Sequence, residues 1–136
     1  MIILGLSCHY HESAAALIID GTVVAAASEE RFTRVKHDQS FPKRAIEFCL
    51  KFAGITASQL DYVAFYEKPL VKFERTITMA LHSYPMGLSF FVEGMKNAFV
   101  RNLWIRSAII DELGIAQDKI VFIPHHISHA AASFFP

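Results

Sequence analysis

Three histidines fall within the stretch PHHISHAAASFFP, Pro124 to Pro136: His125, His126 and His129. His125 and His129 are four apart, so on a helix both imidazoles leave the same face about one turn apart. That is the spacing with which a helix offers two nitrogens to one metal ion. The zincin form of the motif is absent, because the first His is followed by His and not by Glu. His126 projects roughly a quarter-turn away, where it could cap, pack or bind substrate. A histidine pair at this spacing is more often structural than metallic, and two ligands are fewer than a bound metal normally takes from a protein. Its place after an apolar run, at the carboxyl end of an expected parallel strand, favours a site.

A second constellation is SCHYHES, Ser7 to Ser13. A short polar turn between strands can offer backbone N–H groups and hydroxyls, Ser13 among them, to an anion. His9 and His11 alternate along the backbone and so point apart. His11 followed by Glu12 is the pair best suited to proton transfer, a base with an adjacent carboxylate. A third constellation is EERFTRVKHD, Glu29 to Asp38, where Arg31, Arg34 and Lys36 are enough cationic charge to hold a phosphate or carboxylate. Such runs are usually solvated loops, and each signal is weak alone. Phe32 in its middle could anchor this one.

These residues need elements to position them. Ile2–Leu6, Ala14–Ile19 and Thr22–Ala27 are short apolar runs that predict strands. Asp20-Gly21 between the last two predicts a tight hairpin, because a primed turn needs positive φ. Glu29–Ser40 is expected to be a charged loop. Pro42 is expected to open a helix at its first position, with Ile46, Cys49, Leu50 and Ala53 on one face and Gly54 as its stop. Asp61–Tyr66 predicts a fourth strand and Lys119–Ile123 a fifth, with a final helix from about His125. Between them, the insert of about 70–115 has a helical pattern from about Leu70 to Leu113, broken near Pro85-Met86-Gly87 and ended by Gly114. Its Phe-rich middle suggests an inserted helical hairpin. The order βββαβαβα predicts an α/β chain with a mixed sheet, antiparallel first and parallel after.

A chain of 136 residues holds one domain or part of one. Hydrophobic residues make up 53% of it, which argues for a packed core. Its formal charge is +0, so the basic footprint of a nucleic-acid binder is missing. Two cysteines, Cys8 and Cys49, are too few and too far apart for a zinc knuckle, and a reduced cytoplasmic setting is expected. There is no signal-peptide pattern at the start and no run of about 20 apolar residues, so no membrane association is expected.

Taken together, GLSCHYHESAAALIIDGTVVAAASEERFTRVKHDQSFPKRAIEFCL closely resembles the start of the O-carbamoyltransferases of the nodulation-protein-U type, which modify antibiotics and lipo-oligosaccharides. PHHISHAAASFF resembles their HHxxHAxSAFF segment, and the likeness runs in order from Ile2 to Phe135. It is thinnest over the insert. The resemblance implies an actin-like, sugar-kinase-like half-domain and kinship with the family that makes threonylcarbamoyl-adenosine in tRNA. It implies ATP and carbamoyl phosphate as substrates, a carbamoyladenylate intermediate and a small-molecule acceptor with a hydroxyl.

Residue by residue, the resemblance makes His125 and His129 ligands of a divalent metal, typically iron. It makes His11 the base toward the acceptor, and Lys36 the group that meets developing negative charge. Glu12 stands where the family usually has Asp. The substrate-binding candidates are Glu12, Ser13, Arg31, Arg34 and His126. Family members are several times longer, so the chain is expected to be an N-terminal portion, inactive alone, that packs on the rest of its own chain or self-associates. A kinase or ATPase of the same fold, whose first turn usually wants Gly and Ser or Thr, and a non-catalytic binding module are the alternatives.

Overall fold

A computed structural model describes residues 1–9, 12–83, 91–92 and 104–134 of the chain. Five strands form one sheet: β1 (Ile2–Ser7), β2 (Ala14–Ile19), β3 (Thr22–Ser28), β4 (Tyr62–Phe65) and β5 (Ile120–Phe122). They lie in the order β3-β2-β1-β4-β5. β2 runs antiparallel to both β1 and β3, while β1 with β4 and β4 with β5 are parallel. The expected mixed sheet is therefore present. Ile19 pairs with Thr22, leaving a two-residue turn in which Asp20 (φ 49) and Gly21 (φ 83) both take the positive φ of a primed hairpin. Val24 is an extra residue in β3, since Leu17 pairs with Ala25 and Ile18 with Val23.

The helices are α1 (Glu30–Thr33), α2 (Lys43–Ala53), α3 (Pro69–His82), α4 (Ile105–Leu113) and α5 (His125–Phe134). α1 corrects the expectation that Glu29–Ser40 is loop throughout. One turn of ERFT is too short to show a helical period, and it closes on Arg34 in the left-handed region, φ 61. Pro42 stands one position ahead of its expected place, outside α2 as its N-cap residue. A proline offers no side-chain oxygen to the orphan N–H groups there. The buried carboxylate of Glu29 supplies it from a distance, accepting from Arg44 N at 3.2 Å and from Ala45 N at 2.8 Å. At the other end Gly54 takes φ 66 and its N–H returns to Leu50 and Lys51 carbonyls.

β4 is shorter than Asp61–Tyr66 because Asp61 turns its carboxylate onto the N–H of Ile2, 2.7 Å away. Lys119 belongs to a single 3-10 turn before β5, and its ammonium donates to the Leu60 carbonyl at 2.7 Å. The helical pattern over 70–115 appears as α3 and α4 at its ends, with Gly114 (φ 63) closing α4. The break at Pro85-Met86-Gly87 and most of the Phe-rich middle lie outside the described residues.

Alternation along the strands sorts the two faces of the sheet. Leu4, Leu6, Ala15, Leu17, Val63, Phe65 and Ile120 form one buried cluster with Ala45, Ile46 and Cys49 of α2 and Ile105 and Ile109 of α4. Full burial of each large aliphatic residue there contributes roughly 1.5–3 kcal/mol. The opposite face carries small residues toward the carboxyl end of β1. Ala26, Ala16, Gly5 and Ala64 sit opposite one another in a row across four strands, and Ser28, Ala14 and Ser7 form the next. They floor an open depression of about 890 Å³ with Phe32, Phe48 and Tyr66 among its walls. Among the described residues no helix is long and apolar enough to cross a membrane.

Candidate functional site

Three parallel strands, β1, β4 and β5, end on one edge of the sheet, and the segments after them carry the chemistry. After β5, Ile123 still pairs with Phe65, and the Pro124 carbonyl receives the first α5 N–H groups from Ile127 and Ser128. α5 therefore starts at the sheet edge with His125 in its first turn. The imidazoles of His125 and His129 face each other, ring centroids 4.5 Å apart, and their Nε2 atoms are 3.1 Å apart. Two nitrogens on one metal at bonds of about 2.0–2.1 Å stand about 3.0–3.4 Å apart over the usual range of angles, so this pair is spaced to fit a metal ion. Among the described residues no third His, Cys, Asp or Glu completes a cluster around it. His126 turns its ring 5.9 Å from that of His125 and is exposed.

Tyr66 couples this helix to the sheet. Its ring lies edge-on to His125 at 5.7 Å, and its carbonyl accepts the Ser128 hydroxyl at 3.0 Å. Its own hydroxyl leans toward the Cys8 carbonyl, 3.5 Å away, which joins the end of β4 to the turn after β1. Cys8 is buried and its thiol is held protonated. Burial, with a smaller contribution from the neighbouring Glu67 carboxylate, pushes its thiol up to about 12.

The turn after β1 and the loop after α1 are stitched together. His9 N donates to the Gln39 carbonyl at 3.1 Å, Ser13 N to Asp38 at 2.9 Å, and Glu29 N to Ser13 at 2.8 Å. Ser13 is only 1% exposed, and its hydroxyl is taken by the Ser40 carbonyl. Glu12 directs its carboxylate to His37, with Oε1 3.0 Å from Nδ1. His9 (φ 72) and His37 (φ 55), one on each side of this seam, hold left-handed backbone conformations uncommon outside glycine. His11 and Tyr10 lie outside the described residues.

Arg31, Arg34 and Lys36 are exposed and line, with Glu30 and Val35, a shallow pocket of about 520 Å³ beside the seam. The structure thus groups the cations that the sequence singled out. Phe32 anchors them from below, its ring 5.7 Å from Phe48 of α2. Sequence reasoning missed Glu29, His37, Tyr66 and Ser128, whose partners stand 15 to 62 positions away.

The family described as carbamoyltransferase N-terminus matches residues 2–136. The chain belongs to that family. An uncharacterized protein of Synechocystis sp. is 48% identical over 141 residues, which cover 98% of this chain and 23% of that protein. Nodulation protein NolNO of Sinorhizobium fredii is 33% identical over 129 residues, 91% of this chain and 17% of that protein. The chain thus spans about a quarter or less of the length of these curated relatives.

Proposed function

We propose that this chain is the N-terminal part of an ATP-dependent O-carbamoyltransferase, which passes a carbamoyl group from carbamoyl phosphate, through carbamoyladenylate, to a hydroxyl of a small-molecule acceptor. The observation that carries the reading is the convergence of His125 and His129 to 3.1 Å in a chain of the carbamoyltransferase N-terminus family. His125 and His129 would hold the divalent metal, iron by resemblance. When bound, that ion supplies positive charge for anchoring and polarising phosphate or carbonyl oxygens.

The chain's own residues would do the rest. Arg31, Arg34 and Lys36 bind and orient anionic groups, and Lys36 meets the charge that develops on the carbamoyl oxygen. His11 stands by resemblance on the acceptor side. Glu12, Ser13 and His126 shape the approach, Ser13 by fixing the seam backbone. An actin-like, sugar-kinase-like half-domain is supported by the strand order β3-β2-β1-β4-β5 with β2 alone reversed. A cytoplasmic setting is supported by free Cys8 and Cys49 and by the absence of a spanning helix among the described residues. With the small-residue face of the sheet open, the isolated chain self-associates and does not turn over.

The test uses the full-length protein with ATP and carbamoyl phosphate and identifies the nucleotide product. AMP with pyrophosphate, dependent on carbamoyl phosphate, is the expected result. ADP with a phosphorylated acceptor would move the protein to the kinases, and no turnover would leave a binding module.

A further inference from the structure

We propose that His37, oriented by Glu12, is a catalytic residue of this site: its free ring nitrogen takes the proton from the hydroxyl that attacks the carbamoyl group. The inference rests on the carbamoyl-transfer reading. Three observations lead to it. The Glu12 carboxylate stands 3.0 Å from His37 Nδ1, and because a carboxylate can only accept, the neutral ring carries its proton on Nδ1 and presents Nε2 as the acceptor. The ring is mostly exposed, with a side-chain accessibility of 66%, so Nε2 is open to a substrate. And His37 is held at φ 55, a conformation that disfavours any side chain, by a loop tied to the turn after β1 through His9, Ser13 and Glu29.

An ordinary surface ion pair needs none of this. Pairs between exposed side chains contribute about 0–1 kcal/mol, comparable to the cost of holding a non-glycine residue left-handed. The Glu12–His37 pair therefore adds little to the stability of the fold on balance. Its position is also specific. Glu12 lies in the turn after β1 and His37 in the loop after α1 that is tied to it, and Cys8 in that turn is linked through Tyr66 to the ring of His125. Lys36, the next residue back, brings the cation suited to the carbonyl oxygen. The two groups that carbamoyl transfer requires, a base and a positive charge, are thus adjacent in one loop.

In the step itself, the acceptor oxygen forms a bond to the carbamoyl carbon while its proton passes to His37 Nε2. The bond from that carbon to the phosphate oxygen of the adenylate then breaks, and AMP departs with the electron pair. The imidazolium, held against Glu12, returns its proton to solvent.

The experiment uses the full-length protein and separates the two half-reactions. Adenylate formation is read as carbamoyl phosphate-dependent exchange of pyrophosphate into ATP. Adenylate consumption is read as AMP release, with water and N-acetylglucosamine as hydroxyl donors. His37→Gly suits the left-handed backbone and leaves a hole where the ring was. It is expected to keep exchange at the wild-type rate, slow AMP release about 100-fold, and regain about tenfold with added imidazole. His37→Asn, which keeps a donor toward Glu12 but cannot take a proton, is expected to stay slow. AMP release by His37→Gly near the wild-type rate overturns the inference, as does a loss that imidazole does not restore, or normal release by His37→Asn. A wild type without exchange removes the carbamoyl-transfer reading and this inference with it.

Discussion

The two sides of the candidate site are built in opposite ways. The seam between the turn after β1 and the loop after α1 is held by backbone hydrogen bonds, with Ser13 and Glu29 at 1% and 3% exposure. α5, which carries the histidine pair, has no buried residue; Ile127 and Phe134 are 58% and 80% exposed. The Ser128 hydroxyl on Tyr66 and the edge-on Tyr66 ring are the contacts that orient it. A site can thus have one wall set by backbone hydrogen bonds and another oriented through a hydroxyl and a ring. Backbone hydrogen bonds at the seam are numerous enough that removing one leaves the others in place.

The comparison can be broken first on the α5 side. His125→Ala or His129→Ala in the full-length protein should lower affinity for a divalent metal by more than about 100-fold while leaving thermal unfolding unchanged, as read by chelator competition and calorimetry. Loss of the Glu29 carboxylate should weaken the start of α2 beside the seam instead. Glu29→Ala leaves two N–H groups of α2 without their acceptor and should cost about 2–3 kcal/mol in urea unfolding, with Glu29→Gln at about half that. Metal affinity at the histidine pair should not change, which is what separates the two walls.

A smaller effect sharpens the contrast. Ser128→Ala should weaken metal binding about tenfold and lower stability by no more than about 1 kcal/mol, because it frees the helix to rotate and leaves the core alone. The smallest effect concerns Cys8. Its thiol ordinarily ionises near 9.0 but is pushed up to about 12 in the fold, so its contribution is full below about pH 9. As pH rises beyond that, the unfolded chain ionises first and stability declines toward pH 12. The urea midpoint of the wild type should fall more between pH 7 and pH 10 than that of Cys8→Ala.

Much of the framework was legible because it follows local rules. The hairpin at Asp20-Gly21 and the helix stops at Gly54 and Gly114 each took the positive φ their residue types favour. The spacing of His125 and His129 placed both rings on one face, and their nitrogens meet. What escaped depends on contacts between distant residues. No pattern around Pro42 announces that Glu29 caps α2, and the charge of Glu12 says nothing of His37, 25 positions on. α1 escaped for another reason: four residues carry no period to read.

The row Ala26, Ala16, Gly5 and Ala64 is smooth on the scale of a methyl group. Side-chain ridges are what key one packed element into the grooves of the next. A surface without ridges lets a neighbour come close and leaves its register open, so the sheet offers a bearing more than a socket. Along the strands the row is bounded by Ile18, Ile3 and Tyr62 on the same face, and these larger side chains set where an element seated there stops.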